Sequence, residues 1–270
     1  MIRWSSKRLI VNIILFGIFL LSAYYLWFPP IWQCQTISFR GYTEVANNVY
    51  VSNEFNTVSR DSLIRLINES HKRIRSFWGD QRGEATLIVC SSPANYHDFC
   101  LLNEGPGCSL GTPTGSWIII SPEGLNVDVI AHEMCHDEIF ARLGWMKAKS
   151  SLPQWFDEGL ALMVDYRYTD PDSARRYLNY LQHWDVLTKH GKIGPKIDEI
   201  GTVAGFFGVQ RGQANPTRTA QSYVTAGMEV SRWLGLVGQP GLLRLVQQLR
   251  DGHSFDTAYR ETEQYHRPKF

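Results

Sequence analysis

The segment VDVIAHEMCHDEIFARL, residues 127 to 143, sets the hardest constraint on what this chain can become. Val127, Val129, Ile130, Met134, Ile139, Phe140 and Leu143 spread around the circumference of a helix with 3.6 residues per turn, so much of it must be buried. The same helix carries His132, Glu133 and His136. Burying two imidazoles and several carboxylates is costly unless an ion and hydrogen bonds satisfy them. The spacing supplies a way out: residues four apart stack one turn above each other, so both imidazoles can bind one ion at about 2.0 to 2.1 Å. Glu133 sits too far round the helix to join that ligand face, but it can reach a water held by the ion. An HExxH pattern arises by chance in roughly one chain in a hundred of this length, so its surroundings must carry weight as well.

Those surroundings include LPQWFDEGLALM, in which Glu158 lies 22 residues beyond His136. Pro153 is suited to open a helix, and Glu158 stands there among Trp155, Phe156, Leu160 and Leu162. An anionic carboxylate in such company calls for a cation. With His132 and His136 it makes three protein ligands, and three ligands leave a fourth position for water, the pattern of a catalytic rather than a structural zinc site.

A second constraint lies at the N-terminus. Arg3, Lys7 and Arg8 precede an apolar run from Leu9 to Phe28 that only Asn12, Gly17 and Ser22 interrupt. About 20 such residues cross a bilayer as a helix, and the flanking charge keeps the N-terminus in the cytoplasm. The run is long for a cleaved signal peptide and ends in bulky Tyr24 to Phe28, so it reads as an uncleaved anchor. Residues 1–8 are then a basic cytoplasmic end and 9–30 the anchor, with Trp27 and Trp32 at the outer interface and Pro29 and Pro30 ending the helix. Residues 31–270 lie outside the cytoplasm, an arrangement suited to a bacterial inner-membrane protein facing the periplasm. Cys34, Cys90, Cys100 and Cys108 fit an oxidising space; a disulfide can close the loop between Cys100 and Cys108, but four cysteines allow three connectivities, and each reads equally as a buried small hydrophobe. With 27 basic and 26 acidic residues and no long basic stripe, nothing points to nucleic acid.

Between these landmarks the patterning is α+β and then all α. YTEVANNVYVS, residues 42 to 52, predicts a hairpin about Asn47-Asn48, and Ser59 or Asp61 caps a helix running to Trp78 and Gly79. ATLIVC at 85 to 90 predicts a strand, Pro93 a helix to about Asn103, EGPGCSLGTPTG a glycine-rich loop, and SWIII at 116 to 120 a strand. Asn126 caps the HExxH helix. Helices follow near 153–165, 172–190, 218–236, 241–250 and 254–264. The folded part thus divides into an α+β half, residues 40–143, and a helical half, residues 144–270, with the HExxH helix where they meet. Asp137 and Asp165 are candidates to orient an imidazole, against a plain reading as solvated helix-surface groups; Cys135 reads as a buried thiol.

HEMCH followed by WFDEGLA resembles the gluzincin metallopeptidases, the thermolysin and zinc-aminopeptidase group, over about residues 111 to 265. The resemblance implies a zincin-like catalytic domain, a zinc ion on His132, His136 and Glu158, and Glu133 as catalytic base. It implies that an edge strand, placed here at residues 115–120, binds extended protein or peptide substrate by backbone pairing. It also implies a downstream tyrosine that stabilises the oxyanion, for which Tyr223 stands in the comparable place. The gap from His136 to Glu158 exceeds that of the aminopeptidases by a few residues, and their amine-binding motif has no counterpart. The implied activity is hydrolysis of envelope or extracytoplasmic polypeptides; the alternative is a zinc-binding chain of the same fold that has lost hydrolysis and serves as an envelope interaction or assembly factor.

Overall fold

A computed structural model describes residues 6–55, 58–100 and 105–267. Arg3 and the expected extension of the Pro93 helix to Asn103 fall outside the described residues. The first element is helix α1 (Ser6–Trp27), of which Leu9–Trp27 has a mean hydropathy of 2.3 and no residue of the window buried. It is long and apolar enough to cross a membrane or to be a signal sequence. Pro29 and Pro30 do end it, yet they also open a second helix, α2 (Pro29–Gln35). Proline is tolerated there because the first amides of a helix have no intrahelical partner.

The hairpin forms as expected from β1 (Tyr42–Ala46) and β2 (Val49–Ser52), with Asn48 in the left-handed region at φ 59°. Helix α3 (Arg60–Trp78) follows; Ser59 accepts from the Ser62 amide at one end, and Gly79 at φ 87° closes the other. Then come β3 (Thr86–Val89), α4 (Pro93–Phe99), β4 (Gly107–Thr112) and β5 (Gly115–Ile120). The five strands form one sheet in the order β1-β2-β3-β5-β4, parallel from β2 through β5 and antiparallel at both edges.

Alternation along the central strands sorts their side chains onto two faces. Leu87, Val89, Ile118 and Ile120 join the main core with Ile67, Ile74 and Trp78 of α3, whereas Ile88, Trp117 and Ile119 join a smaller cluster with Cys34, Tyr96 and Phe99. Both faces are covered, so these strands read as continuous apolar runs. Cys100 is bonded to Cys108. Cys34, Cys90 and Cys135 are buried free thiols.

After the sheet the described chain is helical apart from a bridge between Gln210 and Gln213: α5 (Val127–Leu143), α6 (Trp145–Ser151), α7 (Gln154–Leu162), α8 (Ser173–Thr188), α9 (Val203–Phe207), α10 (Pro216–Arg250) and α11 (Phe255–His266). The two helices expected at 218–236 and 241–250 run on as α10, with Gly238 at φ 62° marking a kink between them. Helix α5 touches α3, β4 and β5 on one side and α7 on the other, so it stands where the α+β half meets the helical half.

Two expectations need correction. Residues 107–112, read as loop, are strand β4, and they occupy the sheet edge that had been given to residues 115–120. Strand β5 is hydrogen-bonded on both sides, to β3 and β4, and has no free edge on which a substrate could add. Asp137 and Asp165 are not solvated surface groups either, being 5% and 1% exposed.

Candidate metal centre

Asn126 caps α5 by accepting from the Val129 amide, and the helix then carries His132 and His136 on adjacent turns of one face, both buried. Glu158 arrives from α7, whose approach to α10 is so close that a Cβ on Gly159 would lie 2.4 Å from a Val230 methyl and 3.0 Å from the Ala226 carbonyl oxygen. A glycine beside the acid is therefore required for α7 to sit where it does.

One ligand atom from each of His132, His136 and Glu158 lies within 4.8 Å of the others. Glu158 Oε2 is 3.5 Å from His132 Nε2 and 3.8 Å from His136 Nε2. Three donors at 2.0 to 2.1 Å from one tetrahedral ion would stand roughly 3.4 Å apart, so the spacing fits an ion with little adjustment. The two oxygens of Glu158 are used differently: Oε1 accepts from Gln154 Nε2 at 2.8 Å, while Oε2 is buried with no hydrogen-bond donor. An anionic oxygen in that state calls for a cation, which the facing imidazolium rings supply when no metal is bound and a metal ion supplies when one is. These residues can hold a metal.

Behind the ring the imidazoles are backed by carboxylates. His136 Nδ1 is 2.7 Å from Asp157 Oδ1, which fixes the ring with Nε2 facing inward. His132 Nδ1 lies 3.4 Å from Asp165 Oδ2, a separation too long and misaligned for a good hydrogen bond but close for an ion pair. Arg167 grips Asp165 in turn, with Nε 2.9 and 3.1 Å from the two carboxylate oxygens and Nη2 2.5 Å from Oδ2.

The charges act on one another. Burial alone would lower the pKa of His132, but Asp165 and Glu158 outweigh it and raise it to about 10. His136 is likewise depressed by burial, and Asp157 and Glu158 bring it up to about 9. For Glu133 burial pushes the carboxyl upward, and the positive charge of His132 and His136 opposes that. Arg167 also lowers it, which places the guanidinium charge within electrostatic reach of Glu133.

Strand β4 passes against Glu133. A Cβ on Gly107 would stand 2.9 Å from Glu133 Cγ, Glu133 Oε1 and a Val129 methyl, and one on Gly111 would meet the Phe140 ring at 2.6 Å. The glycines are what let this edge strand lie close on α5.

Of the two residues weighed as imidazole partners, Asp165 takes that place and Asp137 does not. Asp137 ties α5 to the sheet instead, accepting from the Ala85 amide at 2.9 Å and from the Ser116 hydroxyl. Tyr223 is partly buried on α10, about one turn before Ala226, with its ring edge-on to Phe206 at 5.0 Å. Sequence reasoning did not single out Asp157, Gln154 or Arg167. Gln154 had a usable signal, standing four residues before Glu158 on the same helical face; Asp157 and Arg167 had none beyond proximity in sequence to a ligand and to Asp165. In comparisons with family models, curated proteins and solved structures, the chain finds no match.

Proposed function

We propose that this chain is a zinc metallopeptidase of the gluzincin type, with a thermolysin-like catalytic domain, anchored by α1 and acting on extracytoplasmic proteins or peptides. The observation that carries the reading is Glu158 Oε2, buried without a donor and facing the inward nitrogens of two imidazoles that Asp157 and Asp165 back. Glu133 beside that ring adds a buried carboxylate that is not a ligand.

Zinc held by His132, His136 and Glu158 would supply a Lewis acid that polarises the scissile carbonyl and brings the pKa of a water towards 7. Glu133 takes the proton of the attacking water and later delivers it to the leaving amine. The upward push of burial on its carboxyl suits a group that must both accept and release a proton near neutrality. Substrate in extended form adds to the outer side of β4, the free edge beside Glu133, through backbone hydrogen bonds. Tyr223 donates a hydrogen bond to the oxyanion. Asp157 and Asp165 hold the imidazoles, with Arg167 holding Asp165.

Metal analysis of the purified chain, coupled to digestion of unfolded casein, tests this reading. The expected result is one zinc per chain, with digestion lost on chelation and restored by zinc. Undiminished digestion by the metal-free chain, or a chain that binds no stoichiometric metal, would contradict it.

A further inference from the structure

The join between α1 and the rest of the chain contains no linker. Phe28 alone separates α1 from α2, and it keeps helical hydrogen bonding on both sides: its amide donates to Tyr24 O at 2.9 Å, and its carbonyl accepts from the Trp32 amide at 3.1 Å. Trp32 packs edge-on against Tyr24 and Tyr25, with ring centroids 6.5 and 5.8 Å apart. Helix α2 is in turn fixed to the sheet, because Cys34 is 1% exposed within the smaller core cluster and Ile31 packs against that cluster.

A chain of side-chain contacts continues towards the candidate centre. Tyr24 donates to Gln35 Oε1 at 3.3 Å, and Gln35 Nε2 donates to Thr114 Oγ1 at 3.1 Å. Thr114 lies in the turn of the β4–β5 hairpin. From that turn β4 runs six residues to Gly107, which lies against Glu133. Seven residues of α2 rise about 10 Å, and six of a strand span about 20 Å. With about 20 Å more for the Gln35–Thr114 link, the hairpin turn and the step from Gly107 to Glu133, Glu133 stands no more than about 50 Å from the end of α1, whatever the tilt of these elements. Tyr25, Trp27 and Phe28 are exposed around that end, as aromatic residues at a bilayer surface would be.

We infer that the substrates are polypeptides themselves held in the membrane, cut in an extended segment within about fifteen residues of the bilayer, since fifteen extended residues span about 50 Å. This inference rests on the peptidase reading and adds to it a rigid limit on reach. A site on a flexible tether would sample all heights above the membrane; one fixed through α2 and the β4–β5 hairpin samples a narrow band.

The test is an N-terminal proteomic comparison of membranes carrying the full chain or its Glu133→Gln variant, together with a variant that has about 20 Gly/Ser residues inserted after Phe28. Such an insert adds roughly 25 Å of flexible reach and leaves the centre untouched. With the native junction, new termini that depend on Glu133 should be enriched at least about tenfold within about fifteen residues of a membrane span, because confinement raises effective concentration. The inserted variant should keep its activity and lose that enrichment. Glu133-dependent termini scattered without regard to membrane spans, or an insert that leaves the pattern unchanged, would overturn the inference while the peptidase reading stands. Absence of any Glu133-dependent terminus would overturn both.

Discussion

Glu158 has one oxygen committed to Gln154 and the other left open between two imidazoles, and the chemistry of the centre follows from that division. The imidazoles of the metal-free chain carry protons well above the ordinary value of 6.5, because carboxylates face them. The sign follows from the raised values. Pairing of imidazolium with carboxylate stabilises the metal-free fold fully below about pH 6.5, and that contribution is lost as pH rises through about 9 and 10. A ligand imidazole must be neutral, so zinc binding at pH 7.5 should release about two protons, and affinity should climb as pH rises. Calorimetry in two buffers of different ionisation enthalpy reads this directly; identical enthalpies in both would count against it. Asp157→Asn removes the charge behind His136 and should weaken zinc by about 10- to 100-fold, measured by competition with a chelator. At this scale the sequence was most informative. Helical periodicity in the HExxH spacing pointed to His132, Glu133 and His136 without knowledge of the fold, and the apolar WFDEGLA setting pointed to Glu158. The residues behind them were less legible: whether Asp137, on α5, or Asp165, in the loop past the end of α7, turns towards an imidazole depends on how those elements pack.

Among the elements, β4 was the one misread. Gly107 and Gly111 give it little intrinsic strand character, and its extended form comes from pairing with β5 and from close contact with α5, neither of which a local pattern records. The strands with β-branched residues, β2, β3 and β5, were legible from the chain itself. The close contact carries its own prediction: Gly107→Val should abolish hydrolysis while zinc is retained, since the atoms nearest a Cβ there belong to Glu133 and Val129 and to no residue of the His132, His136 and Glu158 cluster. Full activity in that variant would show that β4 does not shape the site. The bond between Cys100 and Cys108 holds the beginning of β4 to the end of α4. By loop-closure entropy it should contribute about 2.5 kcal/mol, so Cys100→Ser should lower the urea midpoint; an unchanged midpoint would contradict it.

At the scale of the whole molecule, two packed halves meet along α5, with the candidate centre formed between α5 and α7. The division into an α+β part followed by helices was visible in the patterning, as was the apolar N-terminal helix. The direct continuation of that helix into α2 was not, because Pro29-Pro30 reads locally as a stop and serves here as a start. The central claim is that a metal-bound ring of His132, His136 and Glu158 works with Glu133 as its base, and removing only the base tests it most directly. The measurement is the turnover of zinc-loaded Glu133→Gln beside the unaltered chain on the same unfolded substrate. The account predicts equal zinc content and a rate lower by at least about 100-fold. Equal zinc with an undiminished rate would contradict it.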